Sequence, residues 1–430
     1  MQVIKKVGSE GFDIFIVGGS IRDLLLGGNP KDWDLATNMH LQDLSKLFRK
    51  EVIASPKYHV LKLDFMGTEF QIAQLRNEGN YKDGRHPHFI QPGATLKEDS
   101  NRRDFTVNGI YYDAIKSKII DPANGMNDLK KRQIKTIGEP SIRFSEDHLR
   151  ILRAIRLAGK LNFKIEEKTF NSIFDLASLT KKISGKRVQH EITSMLLSNN
   201  AFYSIELLTK STILHHLFSK DLSLSELNSK FLKDLKRAKK RIQMASSTSF
   251  PIAWAIFLIT LYSDNDIRKI TEIIPEKILF FDEISNILKL RLEFNNRDRT
   301  TILTILQNQL SIIDLNKEQK RIWKKILRKP FFQESLEFFS IMYSSKKNKM
   351  EILRFWTDKL QNTKLTEMNP KKFIKGKDLI KLGFKEGPKI EEILTIVEDE
   401  QLEERIKNKN QAIEFVKRKY LKESEIMEEI

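Results

Sequence analysis

Short hydrophobic runs, separated by segments that contain glycine or proline, characterise the first 140 residues of the chain. Such runs, rich in β-branched and aromatic residues, predict strands. They are FDIFIV at 12–17, HVLKLDFM at 59–66, TEFQIAQL at 68–75, GIYYDAI at 109–115 and KIIDP at 118–122. Helical patterns alternate with them, so this region is predicted to combine a small mixed β-sheet with helices.

The pattern changes near residue 140, where glycine becomes sparse and apolar residues recur at helical spacing. In HLRILRAIRLAGKL, for instance, Leu149, Leu152 and Ile155 would share one face of a helix. The apolar run IAWAIFLITLY at 252–262 is shorter than the roughly 20 residues of a membrane span and predicts a buried helix. The predicted fold class is therefore α+β, with a mixed head followed by helices alone and no association with a membrane.

Polar breaks in the helical pattern, at LSNNAF (197–202) and TEMNPKK (366–372), give soft domain boundaries. The four predicted regions are a head at 1–140, a helical neck at 141–200, a helical body at 201–366 and a helical tail at 367–430.

The charge balance indicates an anionic partner. Against 57 Asp and Glu, 75 Lys and Arg give a formal charge of +18, and such a field attracts polyanions. Nucleic acid is the first candidate and an anionic membrane surface the second, while a lysine-rich and isoleucine-rich composition is a third explanation of the charge. The absence of cysteine excludes disulfides, thiolate zinc sites and cysteine nucleophiles, and it fits a reduced, cytoplasmic location.

The stretch GGSIRDLLLGGNPKDWD at 18–34 begins with a candidate phosphate turn. Gly18 and Gly19 directly follow the strand FDIFIV, and a helical run begins after Ser20. Glycines at such a turn let backbone N–H groups approach an anion, and the helix N-terminus adds a partial positive charge. A triphosphate fits this arrangement, although many turns between a strand and a helix contain glycine without binding phosphate.

Asp32 and Asp34 lie at the end of the same stretch, in KDWDLAT. On an extended strand, residues two apart point to one face, and two carboxylates on one face suit Mg²⁺ together with substrate phosphates. Two such ions, about 3.5–4 Å apart, lower the pKa of an attacking hydroxyl and neutralise a leaving pyrophosphate. A polar strand edge is the alternative, and the neighbouring phosphate turn favours the metal site.

Four later segments complete a series of motifs: RRDFTVNGIYYD at 102–113, DPANGMNDLKKRQIKTIGEP at 121–140, FSEDHLRILRAIRLAGKLNF at 144–163 and KRVQHEI at 186–192. Together with GGSIRDLLLG and KDWDLAT, this series resembles the family of bacterial CCA-adding tRNA nucleotidyltransferases and bacterial poly(A) polymerases, within the polymerase β superfamily. The segment at 144–163 is similar to the nucleotide-selecting helix of that family. The resemblance covers about the first 200 residues.

The resemblance implies template-independent nucleotidyl transfer, in which the 3′-hydroxyl of tRNA attacks the α-phosphate of CTP or ATP with Mg²⁺ as cofactor. It implies that Asp32 and Asp34 are the catalytic metal ligands. The residues that it implies as nucleotide contacts are Gly19, Arg22, Arg103, Asp147, Arg150, Arg153 and Arg156. Gly18 and Ser20 join them as the other residues of the phosphate turn.

Two residues of EDHLRILRAIR offer a basis for choosing the base. Asp147 and Arg150 are three residues apart and would be neighbours on one side of a helix. The carboxylate can accept from an exocyclic amine while the guanidinium donates to a ring acceptor. Cytosine and adenine present that pattern, whereas guanine and uracil oppose it. An ion pair on an exposed helix is the alternative interpretation.

The segment RRDFTVNG contributes further candidates. Arg102 and Arg103 would contact the triphosphate, and Asp104 would orient one of them. Asn108 would hydrogen-bond a ribose hydroxyl, which favours NTP over dNTP.

One departure from the family pattern lies in FQIAQLR, where a glutamate is usual and this chain has Gln71. If that acid assists metal binding or holds an arginine, its loss would slow catalysis. Glu69, two residues before Gln71, would share its strand face.

The polar segment NEGNYKDGRHPHF at 77–89 predicts a loop, and the matching loop of the family helps to switch from C to A addition. Its presence argues against an enzyme that adds only CC.

The segment GKDLIKLGFKEGPKIEEILTIVEDEQLEERIKNKNQAI at 376–413 resembles the tail of the CCA-adding enzymes, in which Gly387 and Pro388 start a helix after a tight turn. Lysines in and beside it would either contact tRNA phosphates or form a solvated face. They are Lys375, Lys377, Lys381 and Lys385.

We therefore expect the chain to add CCA to the 3′ end of tRNA. Three alternatives stay open: a poly(A) polymerase, which IYYD slightly favours, an enzyme that adds only A to tRNA, and a noncatalytic RNA-binding homologue. The sequence leaves the oligomeric state open.

Overall fold

The computed structural model describes residues 2–30, 32–57, 60–81, 84–85, 87–218, 240–262, 281–282, 284–313, 319–342 and 349–421. The strands are β1 (Ile14–Val17), β2 (Trp33–Thr37), β3 (Val52–Lys57), β4 (Val60–Phe65), β5 (Thr68–Gln74), β6 (Arg76–Tyr81), β7 (Pro87–Pro92), β8 (Tyr111–Asp113), β9 (Lys118–Ile120), β10 (Gln133–Ile134) and β11 (Lys164–Ile165). The helices up to residue 218 are α1 (Gln2–Ser9), α2 (Gly18–Leu25), α3 (Leu41–Leu47), α4 (Leu96–Arg102), α5 (Gly125–Lys130), α6 (Pro140–Glu146), α7 (Leu149–Leu161), α8 (Glu167–Asp175), α9 (Gly185–Leu196), α10 (Ala201–Lys210) and α11 (Ile213–Phe218).

The later α-helices are Phe250–Tyr262, Asn296–Ile313, Lys320–Leu327, Phe332–Met342, Lys349–Asn362, Leu365–Met368, Gly376–Lys381, Pro388–Leu402 and Lys409–Val416. Short 3₁₀-helices span Thr106–Asn108 and Ala177–Lys182, and π-helical turns span Ile287–Arg291 and Lys417–Leu421.

Seven of the described strands form one sheet in the order β3-β4-β5-β2-β1-β8-β9. The strand β1, near the middle, is apolar and buried along its whole length, which is typical of a strand covered on both faces. It pairs antiparallel with β2, and β2 pairs parallel with β5. The sheet is therefore mixed, as predicted, and the five predicted strands all form.

The segment 77–89, predicted as a loop, is largely a hairpin. β6 and β7 pair antiparallel from Arg76 opposite Pro92 to Tyr81 opposite Pro87. The prediction of a loop is wrong for the residues of β6 and β7, because pairing of the two backbones does not require an apolar face. Polar contacts anchor it instead: Glu78 accepts hydrogen bonds from Arg76, at 2.6 Å, and from Arg102 of α4, at 3.4 Å.

The apolar run at 252–262 lies within the helix Phe250–Tyr262 and is buried from Ile252 to Thr260. The prediction of a buried helix is confirmed. Within the described ranges, no helix has both the length and the apolarity that crossing a membrane requires.

The chain divides into two compact units. One comprises Met1–Ala253 with Thr260–Asn265 and Glu283–Asn295, and it contains the sheet and the helices through α11. The other comprises the remaining residues. In this second unit the helix that begins at Pro388, directly after Gly387, contributes Ile393 and Val397 to an apolar core. A mixed head followed by helices confirms the α+β class, and the division into four regions stays a prediction.

Candidate active site

The glycine turn lies against Asp34. α2 begins at Gly18, directly after the last residue of β1. Gly18 has a φ of 70°, and a Cβ at this position would come within 3.2 Å of Asp34 Oδ2, so both the backbone and the available space favour glycine. The N–H of Gly19 donates to the Asp34 carboxylate. The predicted turn therefore forms, and it brings the start of α2 to one of the two predicted metal ligands.

Ser20 fixes the two aspartates to this turn. Its Oγ donates to the carbonyl of Asp32 at 3.1 Å and accepts from the N–H of Asp34 at 2.7 Å. Asp34 lies on β2, whereas Asp32 precedes the strand and is exposed. The hydroxyl of Ser20, predicted to line a phosphate site, is thus engaged by the backbone of the D-x-D segment.

The two carboxylates suit a cation that also binds substrate oxygens. Burial raises the pKa of Asp34 above its ordinary value, although Arg103 and the Gly19 N–H oppose the rise, and Asp32 adds to it. A nearby cation would relieve that cost of ionisation. No cluster of three or more acidic or histidine ligands occurs among the described residues, so a metal here would need oxygens from another molecule, as Mg²⁺ commonly does.

Arg22 lies behind the turn, inside α2, and is only 4% exposed. Its Nη1 donates to Asn108 Oδ1 at 2.6 Å, and its Nη2 donates to Asp23 at 2.6 Å. The amide nitrogen of Asn108 donates in turn to Asp104 at 3.0 Å. Asn108, predicted to meet a ribose, therefore also links the first helix of the site to the RRDF segment.

Asp104 has a different partner from the one predicted. It was expected to orient Arg102 or Arg103, but its Oδ2 accepts from Nε and Nη2 of Arg153, on α7. Burial alone would raise the pKa of Asp104, but Arg153 and Asn108 hold it well below its usual range. No local sequence pattern predicts this pair, because the two residues are 49 positions apart.

Asp99 is the acid that contacts Arg102 and Arg103, at 2.6 Å and 2.9 Å, and the sequence analysis missed it. It lies on α4, which begins with a capping box of Thr95 and Glu98. That capping motif, T-x-x-E, was a visible signal for a helix entering the site.

Asp147 stands at a break between α6 and α7. Its φ of −137° and ψ of 104° are not helical, so the continuous helix expected through EDHLR is interrupted there. The carboxylate accepts from Nη2 of Arg187, at 3.2 and 3.4 Å, and from the N–H of Leu149 at 3.2 Å. A residue of α9 that carried no predicted role thus holds the predicted base-reading acid.

The three arginines of α7 each meet an acid. Arg150, 6% exposed, donates to Glu146 at 2.8 Å and to the carbonyl of Arg102 at 3.1 Å. Arg156 donates to Glu191 of α9 at 2.5 Å. Glu191 lies in the motif KRVQHEI, for which the sequence predicts no role of individual residues. Its contact with Arg156 is seen only in the structure.

Two adjoining cavities in the first unit, of about 1080 Å³ and 260 Å³, bring most of the predicted residues together, whereas Ser20, Arg22, Asp32 and Arg156 line neither. Gly18, Gly19 and Asp34 line the smaller cavity, and Asp147 and Arg150 line the larger one. The residues that line both are Arg76, Arg102, Arg103, Asp104 and Arg153. A cationic wall therefore connects the glycine turn to the predicted base-reading pair.

Gln71 also lines the smaller cavity. It lies opposite Asp34 in the parallel pairing of β5 with β2, and residues paired in this way point to the same face of a sheet. Glu69, two residues before it, is paired with Lys62 at 3.1 Å on the exposed part of the strand. The position of the missing acid therefore faces the cavity beside the predicted metal ligand.

Three family models match parts of the chain. They are the poly(A) polymerase head domain at residues 14–135, the RNA- and SrmB-binding site of polymerase A at 162–224, and tRNA nucleotidyltransferase domain 2 at 300–416.

Curated relatives are similar over most of the chain. The CCA-adding enzyme of Lactobacillus helveticus (strain DPC 4571) is 32% identical over 319 residues, which cover 71% of this chain and 77% of that enzyme. The CCA-adding enzyme of Lactococcus lactis subsp. lactis (strain IL1403) is 29% identical over 421 residues, or 96% and 94% of the two chains. Alignments with two other relatives cover 48% and 49% of their length.

A solved structure shares the fold. The Bacillus stearothermophilus CCA-adding enzyme in complex with CTP matches with a TM-score of 0.73 and 22% identity, covering 99% of this chain and 98% of that chain.

Proposed function

The chain belongs to the family of the CCA-adding enzymes, and on that premise we propose that it adds C and A nucleotides to the 3′ end of tRNA, from CTP and ATP, without a nucleic-acid template. The 3′-hydroxyl of the tRNA attacks the α-phosphorus, a new P–O bond forms there, and the bond to the leaving pyrophosphate breaks. The observation that carries this proposal is the pair of adjoining cavities, which unite a phosphate turn, the carboxylate of Asp34 and a base-reading pair.

Asp32 and Asp34 are the proposed ligands of a divalent cation. We propose Mg²⁺, because this hard cation prefers oxygen ligands such as carboxylates. When bound, the cation lowers the pKa of the attacking hydroxyl and neutralises charge on the leaving pyrophosphate. The protein's part is to hold the two acids in place, through the Ser20 hydroxyl on both backbones and the Gly19 N–H on the Asp34 carboxylate.

The triphosphate is proposed to lie along the wall shared by the two cavities. Arg102 and Arg103 present guanidinium groups there, and planar guanidinium donors match phosphate oxygens. Gly18 and Gly19 would admit the phosphates close to the backbone at the start of α2. Arg22 and Arg153 would act beside them, held by Asn108 and by Asp104.

The base is proposed to meet Asp147 and Arg150. Arg187 and the Leu149 N–H orient the Asp147 carboxylate, which then accepts from the exocyclic amine of C or A. Arg150 donates to the adjacent ring acceptor, and Arg156 supports this helix through Glu191. Guanine and uracil place a carbonyl opposite the carboxylate, so the same pair would reject them.

The tRNA body is proposed to contact the second unit. Lys375, Lys377, Lys381 and Lys385 are exposed, and each phosphate contact would add salt-dependent affinity. The predicted tail extends to residue 430, of which the residues after 421 lie outside the described part. A cytoplasmic location, where tRNA is processed, is part of the same proposal.

The product of the reaction tests the proposal. Transcripts of tRNA that lack the 3′ trinucleotide are incubated with Mg²⁺ and CTP, ATP or both, and the new 3′ ends are sequenced. Addition of CCA that then stops supports the proposed function. Addition of A only after a supplied CC indicates an A-adding enzyme, a long A tract indicates a poly(A) polymerase, and no incorporation indicates a noncatalytic homologue.

A further inference from the structure

Asp99 is fully buried and divides its two oxygens between two arginines. Oδ1 accepts from Nε and Nη2 of Arg102, at 2.8 and 2.6 Å. Oδ2 accepts from Nε and Nη2 of Arg103, at 3.1 and 2.9 Å. Hydrogen bonds between ionised groups are stronger than neutral ones, so one carboxylate fixes the direction of both guanidinium groups.

Tyr111 completes this cluster from β8. Its phenol donates to Asp99 Oδ2 at 2.6 Å and accepts from Arg103 Nε at 3.0 Å. The Arg103 guanidinium also lies 5.2 Å from the centre of the Tyr111 ring. Tyr111 is itself fully buried and pairs across the sheet with Val17, the residue before Gly18. The phenol therefore ties Arg103 to the end of the strand where the glycine turn begins.

The cluster keeps positive charge at the cavity wall. The side chains of Arg102 and Arg103 are 14% and 15% exposed, and both line the two cavities, whereas Asp99 behind them is 0% exposed. Burial alone would raise the pKa of Asp99, but Arg103 and Arg102 lower it below its ordinary value. The acid stays ionised and holds both guanidinium groups at the wall, where Arg102 also donates to Glu78 at 3.4 Å.

A core function alone does not account for this arrangement. A buried ion pair is commonly no more stabilising than apolar residues of the same volume, and here two cations surround one fully buried acid. The geometry is useful if the arginines must present their remaining N–H groups in fixed directions, because preorganised donors bind an anion without the cost of ordering flexible side chains.

From this geometry we infer that Asp99 and Tyr111 are positioning residues for triphosphate recognition, which act by holding Arg102 and Arg103 in the cavity wall. The inference rests on the proposed function. Because the arginines contact no part of the base in this scheme, the two positioning residues should affect CTP and ATP equally. This separates them from Asp147, whose removal changes the choice of base.

The test uses Tyr111→Phe, Asp99→Asn and the control Tyr112→Phe in the full chain. Tyr112 follows Tyr111 on β8, so its side chain points to the other face of the sheet. Affinity for CTP, ATP and inorganic tripolyphosphate, each with Mg²⁺, is measured by calorimetry, and melting temperature is measured in parallel. We expect Tyr111→Phe to weaken all three ligands alike by about tenfold, the effect of losing a hydrogen bond to a charged group.

A double-mutant cycle with Arg103→Lys distinguishes positioning from a structural role. Lysine cannot make the two N–H contacts of Arg103, so Tyr111→Phe should weaken tripolyphosphate binding much less in that background than in the natural sequence. Tyr112→Phe should leave affinities within about twofold, as expected of a change outside the cluster. Asp99→Asn should weaken binding more than Tyr111→Phe, because it affects both arginines.

The inference is overturned if Tyr111→Phe and Asp99→Asn leave tripolyphosphate affinity unchanged, if the loss differs between CTP and ATP, or if the effects of Tyr111→Phe and Arg103→Lys simply add. Since tripolyphosphate binding needs no tRNA and no turnover, a chain that failed to extend tRNA but showed the expected losses would refute the proposed function and retain the inference. Normal CCA addition, with tripolyphosphate affinities unaltered in both variants, would support the proposed function and refute the inference.

Discussion

Arg153 donates from Nε and Nη2 to a single oxygen of Asp104, at 2.8 and 2.5 Å. Asp104 directly follows the two arginines of the cavity wall, and Arg153 lies on α7, just after the proposed base-reading pair. One ion pair thus connects the segment proposed to bind the triphosphate with the helix proposed to select the base.

This pair predicts an acid-dependent loss of stability. The pKa of Asp104 is lowered in the folded chain, chiefly by Arg153 acting against burial. Its stabilising contribution is therefore complete above the unfolded value of about 3.9 and is lost as pH falls below it, toward the folded value. We expect Asp104→Asn to lower the free energy of unfolding by about 1–3 kcal/mol at pH 7, and the difference from the natural sequence to shrink as pH falls from about 4 toward the lower pKa of the folded chain.

Urea unfolding of both proteins at several pH values measures that difference. A difference that is constant from pH 7 to about pH 3 would show that the charge on Asp104 contributes nothing to stability.

The two proposed metal ligands give a second prediction. Asp32→Ala or Asp34→Ala should reduce nucleotide incorporation by more than about a thousandfold, because several kcal/mol of charge stabilisation are lost. Affinity for tRNA should stay within a few fold, since tRNA binding is proposed to depend on lysines elsewhere. Primer extension and filter binding measure the two quantities. The control Asp43→Ala removes a half-exposed acid of α3 that pairs only with surface Lys46 among the contacts described. Turnover retained in the Asp34 variant would reject its metal role.

Most of the head could be predicted from the sequence because the signals are local. The glycine turn and the strand runs each depend on residues a few positions apart, and each forms where expected. The D-x-D segment forms a strand only in part, because β2 begins at Trp33 and Asp32 precedes it. The hairpin of β6 and β7 was missed because its segment is polar and its stability depends on backbone pairing and on Arg102 of α4.

The partners of the site residues could not be predicted in the same way. Arg153 pairs with Asp104 and Arg156 with Glu191, contacts that depend on how α7 packs. Asp99 escaped notice because a single buried acid has no periodic signature. Motifs were thus enough to propose the site residues, whereas the network of contacts around them required the tertiary structure.

The proposed role of Asp147 leads to a prediction about which bases the protein accepts. Asp147→Ala removes the acceptor for the exocyclic amine, so the ratio of kcat/KM for UTP to that for CTP should rise by about tenfold or more. Incorporation of CTP itself should fall. Single-nucleotide addition assays with the four NTPs measure this, with Asp175→Ala, an exposed acid of α8, as the control. If GTP and UTP are rejected as strongly as before, Asp147 does not read the base.

Arg187 should act through the same acid. Arg187→Gln removes the guanidinium that holds Asp147 from α9, so it should relax selectivity in the same direction as Asp147→Ala but less strongly. In the Asp147→Ala background it should add no further relaxation. A second additive effect on selectivity would show that Arg187 influences the base by another route.

Gln71 offers a prediction about the metal. Gln71 lies opposite Asp34 in the sheet and lines the same cavity, so Gln71→Glu would add a carboxylate beside the proposed ligands. With Mg²⁺ present, the extra negative charge should lower the metal concentration that gives half-maximal activity, by about three- to tenfold. Without metal, repulsion between the new acid and Asp34 should lower the free energy of unfolding by about 1 kcal/mol.

The two effects have opposite signs, which makes the Gln71 test specific. Magnesium titrations of nucleotide incorporation and metal-free urea unfolding measure them separately. Gln91→Glu, at an exposed position of β7, adds the same charge outside the smaller cavity and should change neither quantity appreciably. If Gln71→Glu leaves the magnesium requirement unchanged while destabilising the metal-free protein, then the position lies near Asp34 but takes no part in binding the cation.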